Sequence, residues 1–307
     1  MLLEAKDLYK SFGDIKAVDG VTLSIGEGER IGLLGPNGAG KSTTVSMIAT
    51  LLHPDSGEIL YRGKDAVKHP QVLRKELGYV PQDIALYPSL SGMDNMRFWG
   101  KAYGLRGAKL NQAIQRASDI TGLQERLKDP VKNYSGGMKR RLNIAVALLH
   151  EPKLLILDEP TVGIDPQSRN HILETVKKLN HEGMAVIYIS HYMEEVEAVC
   201  KRTYIMDHGH VIAEGTHEEL VNIAGTKRPV KFTMSGDQER MLESIKSWGQ
   251  VDLHKGVFTM ELDDDSDILR RLGTAASELG GEILSMQVEE PTLETVFLKL
   301  TGRALRD

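Results

Sequence analysis

The stretch Gly35-Pro36-Asn37-Gly38-Ala39-Gly40-Lys41-Ser42-Thr43 most restricts what this chain can fold into. It follows a short apolar run, 31–34, and precedes a helix-compatible segment, 44–49. Strand, glycine-rich loop and helix are the context a phosphate cradle needs. Successive backbone N–H groups can turn inward onto phosphate oxygens, and the helix N-terminus adds a partial positive charge. Lys41 is expected to reach the β- and γ-phosphates and the Ser42 hydroxyl to ligate Mg²⁺. A glycine-rich turn with an incidental Lys-Ser is the alternative, and the flanking strand and helix weigh against it. The expectation is binding of ATP or GTP.

The chain has 307 residues, room for one large or two smaller domains. No run of about 18 apolar residues occurs, so no segment is expected to span a membrane alone. The first residues lack the apolar core of a signal peptide. The one cysteine, Cys200, excludes an internal disulfide, fits a reducing compartment and reads as a small buried hydrophobe on a helix. The net charge of −5 is uneven: residues 226–307 hold 11 basic and 15 acidic residues. An acidic tail and a near-neutral body argue against nucleic acid as the main partner.

Residues 1–30 read as two or three antiparallel strands around turns at Phe12-Gly13-Asp14 and Gly26-Glu27-Gly28-Glu29. Short strands are expected at 57–61 and 77–80, then helices broken by glycine from about 88 to 150. Tyr87, Phe98, Trp99 and Tyr103 cluster there; packing in a core is the first expectation, and a partner-facing role for some of them stays open. Runs 153–157 and 185–189 are continuously apolar, as fully buried parallel strands are. The first ends on Asp158-Glu159-Pro160 and the second on Ser190-His191. Open α/β sheets bind ligands at the carboxyl ends of their strands, so phosphate loop, carboxylates and histidine are expected on one edge. Adjacent like charges ending a dry strand are expensive without a cation, which favours a functional pair over a structural one.

The texture changes across Ala224-Gly225-Thr226-Lys227-Arg228-Pro229. Strands are expected at 230–234, 251–254, 257–262 and 282–288, with helices at 238–248 and 268–279. The order βαββαβ suggests a small ferredoxin-like domain, followed by a helix at 293–300 introduced by Pro291-Thr292. It holds no reactive constellation and reads as regulatory or dimer-supporting.

With these motifs in order, Tyr134-Ser135-Gly136-Gly137-Met138-Lys139-Arg140-Arg141 makes residues 1–225 resemble the ATP-binding subunits of ABC transporters. The ending 289–297 is similar to that of a subgroup serving exporters of antibiotics and other compounds, whose membrane subunit is a separate polypeptide. The resemblance implies an α/β P-loop NTPase with a RecA-like mixed sheet, an antiparallel β subdomain and a helical subdomain near 88–150. The C-terminal α+β domain, 226–307, is an accessory to it. It implies an ATPase that takes ATP and Mg²⁺. Nucleotide contacts would come from Phe12 stacking on adenine, from Gly35, Pro36, Asn37, Gly38, Ala39, Gly40, Lys41, Ser42 and Thr43, and from Ser135, Gly136, Gly137 and Asp165. Ser42, Gln82 and Asp158 would serve the metal. Glu159 would polarise the attacking water, with Lys41, Gln82 and His191 completing the catalytic set.

Ser135-Gly136-Gly137 opens a helix and so forms a second anion site. In this family it belongs to the opposite subunit, so two copies sandwich two ATP molecules head to tail and drive separate transmembrane permease subunits. The resemblance places the chain in the cytoplasm, peripheral on the inner face of the membrane. Tyr134, Met138 and Ile164 stand where the family usually has Leu, Gln and Leu; Met138 lacks an amide that could meet the partner's ribose. Competing readings are a soluble ABC ATPase switching a non-transport process, and a kinase or GTPase. Neither a second cassette, a long coiled-coil insertion nor an Asn-Lys-x-Asp motif is present to favour them.

Overall fold

The computed structural model describes residues 1–226, 229–261, 267–289 and 291–302. The sequence expectations touching Lys227, Arg228, Leu262 and Glu290 lie outside those residues. The chain divides into two compact units, one starting at Met1 and running to Glu219, the next starting at Leu220.

The first unit opens with antiparallel strands β1 (Leu3–Phe12) and β2 (Ile15–Ile25). Strand β3 (Arg30–Leu34) leads into the phosphate loop, and helix α1 (Lys41–Ile48) leaves it. Strands β4 (Ser56–Tyr61) and β5 (Lys64–Asp65) complete a four-stranded antiparallel sheet of order β2-β1-β4-β5. A short helix α2 (Gln71–Arg74) precedes β6 (Leu77–Val80). Three helices follow: α3 (Gly92–Ala102), α4 (Gly107–Thr121) and α5 (Gly136–Leu148). The alternation then runs β7 (Leu154–Asp158), α6 (Pro166–His181), β8 (Ala185–Ile189), α7 (Met193–Val199), β9 (Arg202–Asp207), β10 (His210–Gly215) and α8 (His217–Ala224).

The six-stranded sheet has the order β10-β9-β3-β8-β7-β6, parallel except for the edge hairpin partner β10. Every residue of β7 and β8 is buried, as expected for strands covered on both faces. One core joins the two sheets: Leu8, Val21 and Ile25 pack in the same cluster as Ile31, Val45, Ile156 and Ile187. The β9–β10 hairpin was not anticipated, although Asp207-His208-Gly209-His210 carries a turn signal between two apolar runs. Cys200 caps the end of α7 and is only partly exposed, with its sulfur against Gly32.

The aromatic group differs from the core packing expected of it. Tyr87 and Phe98 meet edge to face at 4.9 Å, and Phe98 meets Trp99 at 5.4 Å. Tyr103 stacks on His150 at 4.0 Å. Yet Tyr87, Phe98 and Tyr103 remain exposed. Phe98 lies off the buried face of α3, which is formed by Gly92, Asn95, Met96 and Gly100.

In the second unit β11 (Pro229–Met234), α9 (Gln238–Ile245), β12 (Gln250–His254), β13 (Val257–Glu261), α10 (Ile268–Glu278) and β14 (Ile283–Val288) give the βαββαβ order. The antiparallel sheet runs β12-β13-β11-β14, the ferredoxin-like arrangement. Val230, Phe232, Met234 and Phe258 share a core with Met241 and Ile245 of α9 and Leu272 of α10. A last helix, α11 (Leu293–Thr301), is capped by Thr292.

Separate cores predict separable stability. A chain ended at Gly225 should keep one cooperative thermal transition by calorimetry. A noncooperative melt of that shortened chain would show instead that the first unit depends on the second.

Candidate active site

Strands β3, β8, β7 and β6 are neighbours, so the segments leaving their carboxyl ends converge. These are the phosphate loop, Ser190-His191, Asp158-Glu159 and Pro81-Gln82. Gly40 caps α1 with φ 96°, and a Cβ there would lie 2.3 Å from the Ala17 carbonyl. Only glycine fits both the backbone and the contact. The β1–β2 hairpin is tied beside the loop by Gly209, whose N–H donates to Ala39 O (3.1 Å) while its carbonyl accepts from Asp19 N (2.9 Å). That hairpin carries Phe12, half exposed at its turn.

Lys41 is buried, and its Nζ donates to the carbonyls of Gly35 (2.8 Å) and Pro36 (3.0 Å). Burial holds its ammonium below the ordinary value, while Glu159 and Asp158 pull it back up. Asp158 shows the opposite displacement. Burial and then the charge of Glu159 push its carboxyl up, against Lys41 and hydrogen bonds with Ser42 and Tyr79. Tyr79 is itself pushed up to about 12 by burial and by Asp158. Asp158 Oδ1 is buried with no hydrogen-bond partner. Among the described residues no three His, Cys, Asp or Glu side chains could hold a metal by themselves. One orphaned carboxylate oxygen beside a serine hydroxyl suits Mg²⁺, which is commonly bound through one or two carboxylates plus substrate phosphates.

Glu159 is buried and adopts φ 46°, a left-handed conformation for a residue with a side chain. Such a backbone costs about 1–3 kcal/mol and persists only where the surroundings impose it. Here the Glu159 N–H donates to Ile189 O at 3.0 Å. Gln82 Nε2 donates to Glu159 Oε2 at 3.1 Å, and His191 Nδ1 lies 3.3 Å from Oε1 without hydrogen-bond alignment. The three predicted catalytic side chains Gln82, Glu159 and His191 thus touch, with Asp158 and Lys41 adjacent in charge.

Ser135, Gly136, Gly137 and Asp165 form a separate cluster. Ser135 Oγ accepts from Met138 N (3.2 Å) at the start of α5, and Asp165 Oδ1 accepts from Ser168 N (2.9 Å) at the start of α6. The Ser168 backbone N–H holds the Asp165 carboxyl below its ordinary range. A Cβ on Gly137 would fall 2.0 Å from Ser168 Oγ, so the two helix starts are in direct contact. Between them lies an open groove of about 410 Å³ lined by Ser135, Met138, Arg141, Asp165, Ser168 and His171 among others. Among the described residues no hydrogen bond or ion pair joins Ser135 to the phosphate loop. The three departures from the usual motif leave these contacts standing: Tyr134 is buried and its hydroxyl donates to Arg126 O at 2.6 Å.

Sequence reasoning missed Glu195. Its buried carboxylate accepts from Thr161 Oγ1 (2.6 Å), Tyr188 OH (2.8 Å) and Ser190 Oγ (3.1 Å), and pairs with Arg169 at 2.6 Å. It therefore ties together the segment after Glu159, the end of β8 before His191, and the helix that Asp165 begins. The one sequence signal was its place in the helix that opens just after Ser190-His191.

The ABC transporter family matches residues 18–162. The chain is 48% identical over the full length of both chains to the linearmycin resistance ATP-binding protein LnrL of Bacillus subtilis. It is 34% identical to the daunorubicin/doxorubicin resistance ATP-binding protein DrrA of Streptomyces peucetius, covering 99% of this chain and 94% of that one. A solved dimeric ATP-binding cassette in a post-hydrolysis state with ADP and Pi superposes with a TM-score of 0.64 at 26% identity, over 70% of this chain and 98% of that one. The fold is that of a P-loop ATPase. The chain belongs to the ATP-binding subunits of ABC transporters, so it binds and hydrolyses ATP. Among the described residues no helix is long and apolar enough to cross a membrane.

The buried Asp158 carboxylate sets function against stability. Asp158→Asn should raise the nucleotide-free thermal midpoint by about 2–4 °C, the equivalent of about 1 kcal/mol, while abolishing turnover. An unchanged or lower midpoint in a scanning melt would contradict this account of the charge.

Proposed function

We infer that this chain is the ATP-hydrolysing motor of an exporter of antibiotics or other amphiphilic compounds. It works as a head-to-tail dimer around two ATP molecules and drives separate transmembrane permease subunits. It is held at the inner face of the cell membrane by them. The observation that carries the dimer is the presence of two anion-receptive helix starts in one chain: the α1 cradle, with Lys41, and the α5–α6 groove, with Ser135. The export assignment is supported by the resistance functions named for the relatives.

In this reading residues 35–43 hold the triphosphate, and Lys41 leaves the Gly35 and Pro36 carbonyls for the β- and γ-phosphates. Phe12 offers its exposed ring to adenine. Ser42 and Asp158 would hold Mg²⁺, with Gln82 alongside, and the ion would supply neutralising charge to the triphosphate. Glu159 takes the proton of the attacking water, with Gln82 bonded to one of its carboxylate oxygens and His191 beside the other. Ser135, Gly136, Gly137 and Asp165 face the nucleotide held by the second copy. ATP then stabilises the closed pair, and its hydrolysis opens it, a ligand-driven population shift that the permease senses. The ferredoxin-like unit, without reactive side-chain groupings among its described residues, serves as an accessory that regulates or supports the pair.

Glu159→Gln should bind ATP, elute as a dimer on gel filtration with saturating ATP, and lose nearly all turnover. A monomer under those conditions counts against the sandwich. Lys41→Ala should weaken nucleotide binding at least about tenfold by fluorescent-ATP titration, since a buried charge-assisted contact to phosphate is lost; unchanged affinity would remove Lys41 from the cradle.

A further inference from the structure

Arg140 is an internal cation that the roles above leave unused. It sits one turn into α5, five residues after Ser135, and is 4% exposed. Its Nη1 donates to Pro81 O at 2.8 Å and its Nη2 to Gln82 O at 2.7 Å, two successive carbonyls at the end of β6. Nε is buried without a partner, and among the described residues no carboxylate lies within ion-pairing distance of the guanidinium. A dry cation without an ion-pair partner is an expensive way to fill space, and the charges of Asp158, Asp83 and Glu159 offset only part of what burial costs it. What the guanidinium alone supplies is a planar fork that grips two adjacent carbonyls in fixed orientation.

The grip closes a continuous physical path. Ser135 and Gly137 form the start of α5 on the groove; Arg140, on the same rigid helix, holds the backbone of Gln82; the Gln82 side chain holds Glu159. We propose that Arg140 is a positioning residue that couples the α5 helix start, where a nucleotide carried by the second copy docks, to the Gln82–Glu159 pair of its own chain. This rests on the sandwich reading. When the groove closes on phosphate, α5 settles, and the fork sets the Gln82 loop so that Glu159 is aimed at the water. Each site then fires only when the neighbouring nucleotide is engaged.

The test uses the full chain with Arg140→Gln and Arg140→Lys, each also combined with Glu159→Gln. Steady-state hydrolysis should show kcat reduced about tenfold in Arg140→Gln, the loss of one charge-assisted bond, with a smaller loss in Arg140→Lys. Fluorescent-ATP affinity should stay within about twofold, and the double variants should still dimerise with ATP by gel filtration. A merely structural role would not separate kcat from affinity in this way. Unchanged kcat overturns the proposal, as does a parallel loss of affinity and dimerisation. Failure of both variants to fold overturns it too, because it would make Arg140 a fold-stabilising residue. The Glu159→Gln chain alone separates the two readings. If it stays monomeric the sandwich falls; if it dimerises while the Arg140 variants keep full kcat, only this inference falls.

Discussion

The constraint on which the structure turns is the pair of carboxylates closing β7. Asp158 and Glu159 lie side by side at the dry end of a fully buried strand, with the charges of Lys41 and Arg140 acting on both. Neither Asp158 nor Lys41 is at ease: burial displaces Asp158 upward and Lys41 downward, each away from its charged form. A polyanion with a divalent ion is the kind of ligand that settles such a set, because it brings both signs of charge at once. The sheet around it supplies the rigidity that keeps these groups from relaxing.

The surrounding segments are arranged to hold Glu159 rather than Asp158. Its backbone is forced left-handed, and its two oxygens meet Gln82 and His191 from different strands. Behind them Glu195 anchors the residues flanking this pair through Thr161, Tyr188 and Ser190. A hydroxyl or amide missing from this shell leaves the carboxylate free to rotate, and orientation is worth a large part of catalysis.

What the sequence revealed is what is contiguous in it. Residues 35–43, Asp158-Glu159 and Ser135-Gly136-Gly137 each form a local pattern, and the apolar runs around them gave β3, β7 and β8 nearly to the residue. The second unit was legible because strands and helices alternate at regular spacing there. Contacts across long separations were not. Gln82 meets Glu159 across 77 residues and Arg140 meets Pro81 across 59. A buried arginine has no periodicity to betray it, and Arg140 reads in the sequence as one more charge on a basic helix. The exposed Tyr87, Phe98 and Tyr103 failed for the converse reason: aromatic clustering signals contact between rings but not which side faces water.

Gly137 has room for nothing beyond hydrogen, since Ser168 occupies the space a methyl group would need. The beginnings of α5 and α6 are therefore a single fused joint and cannot drift independently over generations. Variation in the groove between them must come through its other lining residues, among them Met138. A change at that joint must therefore alter Gly137 and Ser168 together, whereas the residues lining the groove beside it can vary one at a time.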